Sequence, residues 1–312
     1  MERPNVTILL PTYNGSAYLA SQLDSLLAQD YPNLQIVISD DASTDTTVQI
    51  INRYAAAHPD RILHFKSGQH FGNAQDHFMH LLRQFSEADY IMFCDQDDVW
   101  HADKVSKTMA RMKAIEQDTA VPALVHTDLR VVDADLSEIS PSFCQHSDLQ
   151  GDRLALNQLL VQNVVTGCTV MINRSLAQLA STCAQTGAMR MHDWWLALLA
   201  SACGRIAFLN EATIDYRQHG SNSVGAKNVR SPSYFFQRLT SSPMRKGMRL
   251  AAEQAEAFLA CYTTQLTPEQ QKLICAFAST KDKGLLGRDL VYIRHNLLKS
   301  GFVRRFSQLT GL

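Results

Sequence analysis

The amino-acid sequence predicts an α/β fold, with a doubly wound, mostly parallel sheet, helices on both faces and a helical C-terminal extension. Short apolar runs without alternation, the pattern of strands buried on both faces, recur along the N-terminal half. Between them lie segments whose apolar residues repeat at helical spacing. This alternation of strand and helix is typical of βαβ units, which build a parallel sheet.

The predicted elements follow in chain order. An apolar strand over residues 6–10 ends at Pro11, and Asn14-Gly15 predicts a turn before the first helix. Further strands are predicted at residues 36–38, 62–65 and 90–94, with helices between them. Beyond residue 100 we predict strands at residues 123–126 and 168–172 and a helix over residues 194–202.

Composition and charge exclude several classes of protein. A formal net charge of −1 provides no global field that would attract nucleic acid, so we expect no nucleic-acid partner. The seven cysteines contain no C-x-x-C pair, which predicts reduced thiols with neither a disulfide nor a zinc site. The first apolar run is too short for a signal peptide and no segment reaches membrane-spanning length, so we expect a cytoplasmic protein.

Polar residues follow three of the predicted strands. Thr12-Tyr13-Asn14 follows the first strand, Asp40-Asp41 the second and Asp95-Gln96-Asp97-Asp98 the fourth. Doubly wound sheets bind their ligands outside the carboxyl ends of the strands. The sequence therefore predicts a binding site at this edge of the sheet.

The segment Asp95-Gln96-Asp97-Asp98 places three carboxylates within four residues. These charges repel one another, and oxygen ligands of this kind favour Mg²⁺ or Mn²⁺ held together with substrate phosphates. A solvated acidic turn or a helix N-cap is the structural alternative. Asp41 could accept a hydrogen bond from the N3–H of a pyrimidine base that stacks on Tyr13, whereas capping of the next helix explains the same region without a ligand.

These segments resemble the successive motifs of glycosyltransferase family 2, the inverting enzymes with a GT-A fold. The resemblance rests on Pro11-Thr12-Tyr13-Asn14, on residues 39–45 and on the acidic segment. Two later segments, Met191-His192-Asp193-Trp194-Trp195 and residues 216–225, are similar to the rhamnosyltransferase-like branch, which builds bacterial O-antigens and capsules. The resemblance implies a GT-A domain over residues 1–227, with a nucleotide-sugar half at about 1–100 and an acceptor half at about 101–227, followed by a helical extension over residues 228–312.

The resemblance also implies roles for individual residues. The residues that bind the nucleotide would be Thr12, Tyr13, Asp41 and Asp97, and those around a Mg²⁺ or Mn²⁺ ion would be Asp95, Asp97, Asp98 and His219. Asp193 would be the general base, and the substrate would be contacted by Trp194, Trp195 and Arg217. Helix capping by Asp193 and core packing by the two tryptophans are the structural alternatives. Asp76 departs from the Asn that many relatives have at its position.

The resemblance implies transfer of L-rhamnose from dTDP-L-rhamnose to an acceptor hydroxyl, which a lipid-linked glycan would provide. A UDP-hexose-dependent glycosyltransferase and a non-catalytic nucleotide-sugar-binding protein are the alternatives. A nucleotidylyltransferase is disfavoured because residues 11–15 contain no basic side chain. The basic and aromatic C-terminal region predicts peripheral contact with the inner face of the plasma membrane, with solvated helices as the alternative.

Overall fold

The computed structural model describes residues 4–183, 187–219 and 243–310. The strands in these ranges are β1 Val6–Thr12, β2 Leu34–Asp40, β3 Ile62–His64, β4 Tyr90–Phe93, β5 Val99–Trp100, β6 Ala123–Val132, β7 Glu138–Ser140, β8 Met171–Asn173 and β9 Arg205–Arg217. The helices are α1 Leu19–Leu27, α2 Thr47–Ala57, α3 Ala74–Gln84, α4 Lys104–Ile115, α5 Phe143–His146, α6 Leu156–Val161, α7 Arg174–Ser181, α8 His192–Cys203, α9 Pro243–Tyr262, α10 Pro268–Ala278, α11 Leu285–Arg294 and α12 Phe302–Thr310.

In these ranges the strands form one sheet in the order β3-β2-β1-β4-β8-β6-β9-β5, with β7 paired to β6. The first four strands in this order are parallel, as predicted from their apolar runs. β8 is antiparallel to both of its neighbours, β4 and β6, whereas β6 and β9 are parallel to each other. The inserted β8 brings the second half of the chain into the same sheet as the first.

Each face of the sheet is covered by helices. Ile8 and Leu10 of β1 point to a core that contains residues of α1 and α4. Leu9, between them, points to the opposite core, which contains residues of α3, α8 and α9. This alternation is the two-residue period of a strand that is buried on both sides, and it confirms the predicted doubly wound α/β architecture.

The C-terminal extension is helical and packs on the second of these cores. Met248, Ala252 and Phe258 of α9 are buried in it together with residues of α3 and α8. The predicted boundary near residue 227 lies outside the described residues, so the domain limits stay a prediction. No helix in the described ranges is long and apolar enough to cross a membrane.

The prediction of a chain without disulfides was wrong for one pair of cysteines. Cys183, just after α7, and Cys261, in α9, form a disulfide, with their Cα atoms 5.6 Å apart. These residues are 78 positions apart in sequence, so their spacing does not indicate that they pair. They meet because α7 and α9 pack in the same hydrophobic core.

Candidate active site

The polar segments after β1, β2 and β4 meet at one edge of the sheet, as predicted. Thr12 and Asp40 are paired residues at the ends of the parallel strands β1 and β2. The Asp41 amide donates to the Thr12 carbonyl at 2.8 Å, and the Cys94 amide donates to the Leu9 carbonyl at 3.0 Å. The acidic segment that begins at Asp95 therefore leaves the sheet beside the loop that follows Thr12.

The loop after β1 is fixed to the acidic segment by Gln96. The Tyr13 amide donates to Gln96 Oε1 at 2.9 Å, and Gln96 Nε2 donates to the Tyr13 carbonyl at 3.0 Å. The side chain of Gln96 also approaches Gly15 so closely that a Cβ atom on Gly15 would lie 2.3 Å from Gln96 Oε1. The backbone of Tyr13 is therefore held by Gln96. Tyr13 itself is 53% exposed, so its ring is available to stack on a base.

Asp41 is buried and holds the loop that precedes α3. Its carboxylate accepts hydrogen bonds from the amides of Phe71 at 2.6 Å and Gly72 at 2.9 Å, and His70 Nδ1 lies 3.1 Å away. Burial alone would raise the pKa of Asp41, but the two amide donors, together with His70 and His77, lower the pKa below the usual range. Asp41 is therefore a carboxylate that shapes one wall of the edge site.

Capping explains part of the same region. Asp45 accepts from the Thr47 amide at 2.9 Å at the start of α2, so part of the segment after β2 serves the helix rather than a ligand. Asp76 exchanges hydrogen bonds with Asn73: its amide donates to Asn73 Oδ1 at 2.8 Å, and its carboxylate accepts from Asn73 Nδ2 at 2.8 Å. Asp76 therefore belongs to the N-cap of α3.

Two of the three predicted metal-binding carboxylates come together with a cysteine. One ligand atom each of Asp95, Asp98 and Cys168 lies within 4.8 Å of the others. Asp98 is fully buried, and its Oδ2 atom has no hydrogen-bond partner in the described part of the chain. Burial and the neighbouring carboxylates raise the pKa of Asp95 to about 7 and that of Asp98 well above its usual range. An unpartnered buried oxygen beside a second carboxylate fits a divalent cation.

The third carboxylate pairs with the predicted histidine. His219 Nε2 lies 2.8 Å from Asp97 Oδ2, and its ring is 4.8 Å from that of Tyr18. Arg217 fixes this turn, since its Nε donates to the Asp97 carbonyl at 2.8 Å and its amide donates to Asp98 Oδ1 at 3.1 Å. These bonds give Arg217 a role in positioning the acidic segment, and its contact with substrate stays a prediction.

A lysine lies beneath the acidic segment. Lys104, at the start of α4, is fully buried, and its Nζ atom lies 3.3 Å from Thr213 Oγ1 and 4.6 Å from the centre of the Trp100 ring. Burial lowers the pKa of Lys104 to about 8, although Cys168, Cys94 and Asp98 act in the opposite direction. A cation at this position offsets part of the negative charge of the cluster.

Asp193 lies in the first turn of α8, next to the acidic cluster. Its Oδ1 atom accepts from Asn163 Nδ2 at 3.1 Å and also from the Trp194 amide. Burial raises the pKa of Asp193 to about 7, and the charge of Asp193 in turn raises the pKa of Asp95. A carboxylate whose pKa lies near neutrality is suited to exchange a proton with a hydroxyl group.

His192 supports Asp193 from the apolar side. Its ring lies 4.2 Å from that of Phe78 and 5.1 Å from that of Phe93. Burial lowers the pKa of His192 to about 3, so the ring is neutral. Gly167 leaves room for this arrangement, because a Cβ atom there would come within 2.8 Å of His192 Nε2.

The structure does not support the predicted contact of Trp195 with substrate. Its side chain is fully buried, its Nε1 donates to the Tyr262 hydroxyl at 3.1 Å, and its ring packs on Phe258. Consecutive residues of a helix point in different directions, so Trp195 faces the C-terminal core. Trp194 is partly exposed and donates to the Leu159 carbonyl at 2.6 Å.

Four residues of the site were missed at the level of sequence. Gln96 lies within the acidic motif, and its position between two aspartates was the only local sign of its role. Asn163, Cys168 and Lys104 come from distant segments whose proximity depends on the order of the strands. No spacing in the sequence indicates that Cys168 meets Asp95 and Asp98.

With this geometry established, comparison with known proteins defines the class. Residues 7–179 match the sequence model described as "Glycosyl transferase family 2". Because the match extends over more than half of the chain, the protein belongs to glycosyltransferase family 2 and is a glycosyltransferase with a GT-A-type nucleotide-sugar transferase fold. The predicted family is thereby confirmed.

Two individual similarities are informative. The chain is 28% identical over 234 residues to the dTDP-rhamnosyl transferase RfbG of Shigella flexneri, which covers 70% of this chain and 74% of that protein. The crystal structure of S. aureus TarS residues 1–349 in complex with UDP-GlcNAc superposes with a TM-score of 0.59 and 18% identity, covering 89% of this chain and 72% of that one. The second similarity supports the fold alone.

Proposed function

We propose that this glycosyltransferase moves L-rhamnose from dTDP-L-rhamnose to an acceptor hydroxyl, with inversion at the anomeric carbon, in the biosynthesis of a bacterial surface polysaccharide such as an O-antigen or a capsule. The observation that carries the choice of donor is the 28% identity to a dTDP-rhamnosyl transferase over 70% of this chain. The motif around Asp193, which resembles the rhamnosyltransferase-like branch, agrees with it.

The donor nucleotide binds at the strand edge in this proposal. The exposed ring of Tyr13 stacks on the base, and the backbone on either side of it is held by Gln96. Asp41 keeps the loop of residues 70–72 in place as a wall of the base pocket. Thr12 is buried and donates to Asp40 Oδ1 at 3.0 Å, so its contribution to nucleotide binding is the shape of the turn.

Asp95 and Asp98 would hold a Mg²⁺ or Mn²⁺ ion, with Asp97 and His219 at the border of the same site. The support for this is the unpartnered Asp98 Oδ2 atom beside the carboxylate of Asp95, where burial and the neighbouring carboxylates raise the pKa values of both groups. A bound divalent ion supplies stabilisation of the negative charge that grows on the departing diphosphate.

Asp193 acts as the general base in this proposal. It lies beside the acidic cluster, where a sugar attached to the diphosphate would present its anomeric carbon to the acceptor. The amide of Asn163 and the start of α8 orient its carboxylate, and the surrounding burial keeps its pKa close to neutrality. The carboxylate takes the proton of the acceptor hydroxyl as the new glycosidic bond forms.

The acceptor in this proposal is a lipid-linked glycan, and the protein works in the cytoplasm at the inner face of the plasma membrane. A lipid-linked acceptor keeps the reacting hydroxyl close to the bilayer, so a peripheral contact would raise the local acceptor concentration. The support is the basic and aromatic character of the C-terminal region. The described helices include none that could anchor the chain by crossing the membrane.

Donor choice is tested by measuring thermal stabilisation and donor turnover with dTDP-L-rhamnose, UDP-glucose, UDP-N-acetylglucosamine and GDP-mannose, each with and without Mn²⁺. We expect dTDP-L-rhamnose with Mn²⁺ to give the largest shift, since ligand binding to the native state raises the melting temperature by mass action. Faster turnover of a UDP-hexose would contradict dTDP-L-rhamnose as the donor, but the protein would remain a glycosyltransferase. Binding of a nucleotide sugar without turnover or donor hydrolysis would instead indicate a non-catalytic binding protein.

A further inference from the structure

The last two helices of the structure expose large apolar side chains. On α11 these are Leu286, Leu290 and Ile293, which are 86%, 67% and 63% exposed. On α12 they are Phe302 and Phe306, which are 84% and 49% exposed and whose rings stack with centres 6.3 Å apart. We refer to these five residues as the C-terminal patch.

The patch forms two stripes on neighbouring helices. Leu286, Leu290 and Ile293 recur at positions i, i+4 and i+7, which places them on one face of α11. The helices are fixed to each other, since Arg288 donates to the Gln308 carbonyl at 3.1 Å. Exposed apolar groups of this size on a rigid pair of helices indicate a surface that contacts something else.

Three exposed cations lie beside the patch. Lys283, Arg294 and Arg305 are exposed on the same two helices or directly before them. In residues 282–310 the sequence contains two acidic residues. Asp289 lies 3.2 Å from Arg288, and Asp282 is exposed directly before Lys283. The same range contains six lysines and arginines, so cations outnumber acidic residues along the two helices.

We propose that the C-terminal patch docks on the surface of an anionic lipid bilayer. Helices with an apolar face and basic borders lie in the interface plane, where the apolar side chains enter the lipid and the cations meet anionic headgroups. A second copy of this chain is a poorer occupant. In a two-fold contact of the patch with itself, Lys283, Arg294 and Arg305 would face like charges.

This inference gives the proposed membrane contact a defined surface, and it does not depend on the donor or on the reaction. Binding is measured on the full chain without donor or acceptor, so a negative result here leaves the transfer reaction untouched. A protein that binds vesicles but transfers no sugar would support the membrane contact and contradict the proposed transfer reaction.

The apolar part is tested by flotation with vesicles of phosphatidylcholine containing 30% phosphatidylglycerol. We expect the wild-type chain to bind these vesicles and Leu286→Ser/Phe302→Ser to bind at least about 10-fold more weakly, because each substitution removes a large apolar group from the interface. The matched control is Leu63→Ser/Ile139→Ser, at two apolar residues that are 40% and 51% exposed on β3 and β7. This control should bind like the wild type.

The contribution of the cations is tested with the same vesicles and the variant Lys283→Gln/Arg294→Gln/Arg305→Gln. Loss of three juxtamembrane cations should weaken binding on the order of 100-fold, and salt should weaken binding of the wild type in the same direction. Arg53→Gln/Arg111→Gln, at exposed arginines of α2 and α4, is the control and should bind normally.

Several outcomes would overturn the proposal. These are no binding of the wild type to the anionic vesicles, equal binding to pure phosphatidylcholine, or equal losses in the control variants. Light scattering without lipid provides a further test. A wild-type dimer that Leu286→Ser/Phe302→Ser converts to a monomer would assign the patch to self-association.

Discussion

Replacing Asp193 by Asn tests the proposed general base without changing the shape of the site. The side chain lies in the first turn of α8, where Oδ1 accepts from Asn163 Nδ2 at 3.1 Å. Asparagine can still accept this hydrogen bond through its own Oδ1 but cannot take a proton from the acceptor. We expect turnover to fall by about 10²- to 10⁴-fold, the usual effect of losing a general base, with little change in donor affinity.

The same variant should change the pH dependence of stability. Burial raises the pKa of Asp193 from 3.8 to about 7, so the folded protein retains a proton that the unfolded chain has already released at lower pH. Stability therefore falls as the pH rises through this window and levels off above the folded pKa. At about 1.4 kcal/mol per pH unit, the wild type should lose about 2 kcal/mol between pH 5.5 and pH 8 that the Asn variant keeps.

Two measurements check this reasoning: steady-state kinetics with dTDP-L-rhamnose, and the free energy of unfolding from urea titrations at pH 5.5 and pH 8. Asp60→Asn, at an exposed carboxylate, is the control and should leave both quantities unchanged. Turnover within a factor of three of the wild type would refute the role of Asp193 as a base. A stability difference between Asp193→Asn and wild type that does not change with pH would refute its raised pKa.

Three further predictions concern the strand edge. Asp98→Asn replaces the carboxylate whose unpartnered buried oxygen would bind the ion, so Mn²⁺ affinity measured by calorimetry should fall by at least about 10-fold. Excess EDTA should abolish transfer by the wild type, and full activity in EDTA would contradict a metal site. Gly15→Ala forces Gln96 away from its position and should weaken nucleotide binding while the fold is kept. Ala42 has a φ of 63°, a conformation that glycine adopts without strain. Ala42→Gly should therefore leave the free energy of unfolding unchanged or raise it by up to about 1 kcal/mol. The control Ala110→Gly, at an exposed position in the middle of α4, should lower the free energy of unfolding by about 1 kcal/mol, and urea titrations measure both.

Local patterns were sufficient to predict the parallel half of the sheet. The apolar runs over residues 6–10 and 36–38 lie within β1 and β2, and the run over residues 90–94 covers β4. These strands are buried on both faces, so their sequences are continuously apolar and easily distinguished from the helices between them. The convergence of their polar ends followed from the rule for parallel strands and needed no long-range information.

The second half of the site depends on contacts that no local pattern contains. Residues 168–172 were predicted as a single strand, but Gly167–Thr169 form a 3₁₀ turn before β8, and this turn carries Cys168 to the acidic cluster. β8 reaches that position because it is inserted antiparallel between β4 and β6. The disulfide between Cys183 and Cys261 likewise joins segments far apart in sequence, which meet because α7 and α9 share one hydrophobic core.

The motif around Asp193 shows how one short segment serves two parts of the molecule. Asp193 faces the acidic cluster, whereas Trp195, two residues later on α8, packs on Phe258 and Tyr262 of α9. His192 packs on Phe93, at the end of the strand that leads into the acidic segment. The position of the proposed base is therefore set by contacts on both sides of α8. It follows that the C-terminal helices contribute to the geometry of the site although they supply none of its predicted polar residues.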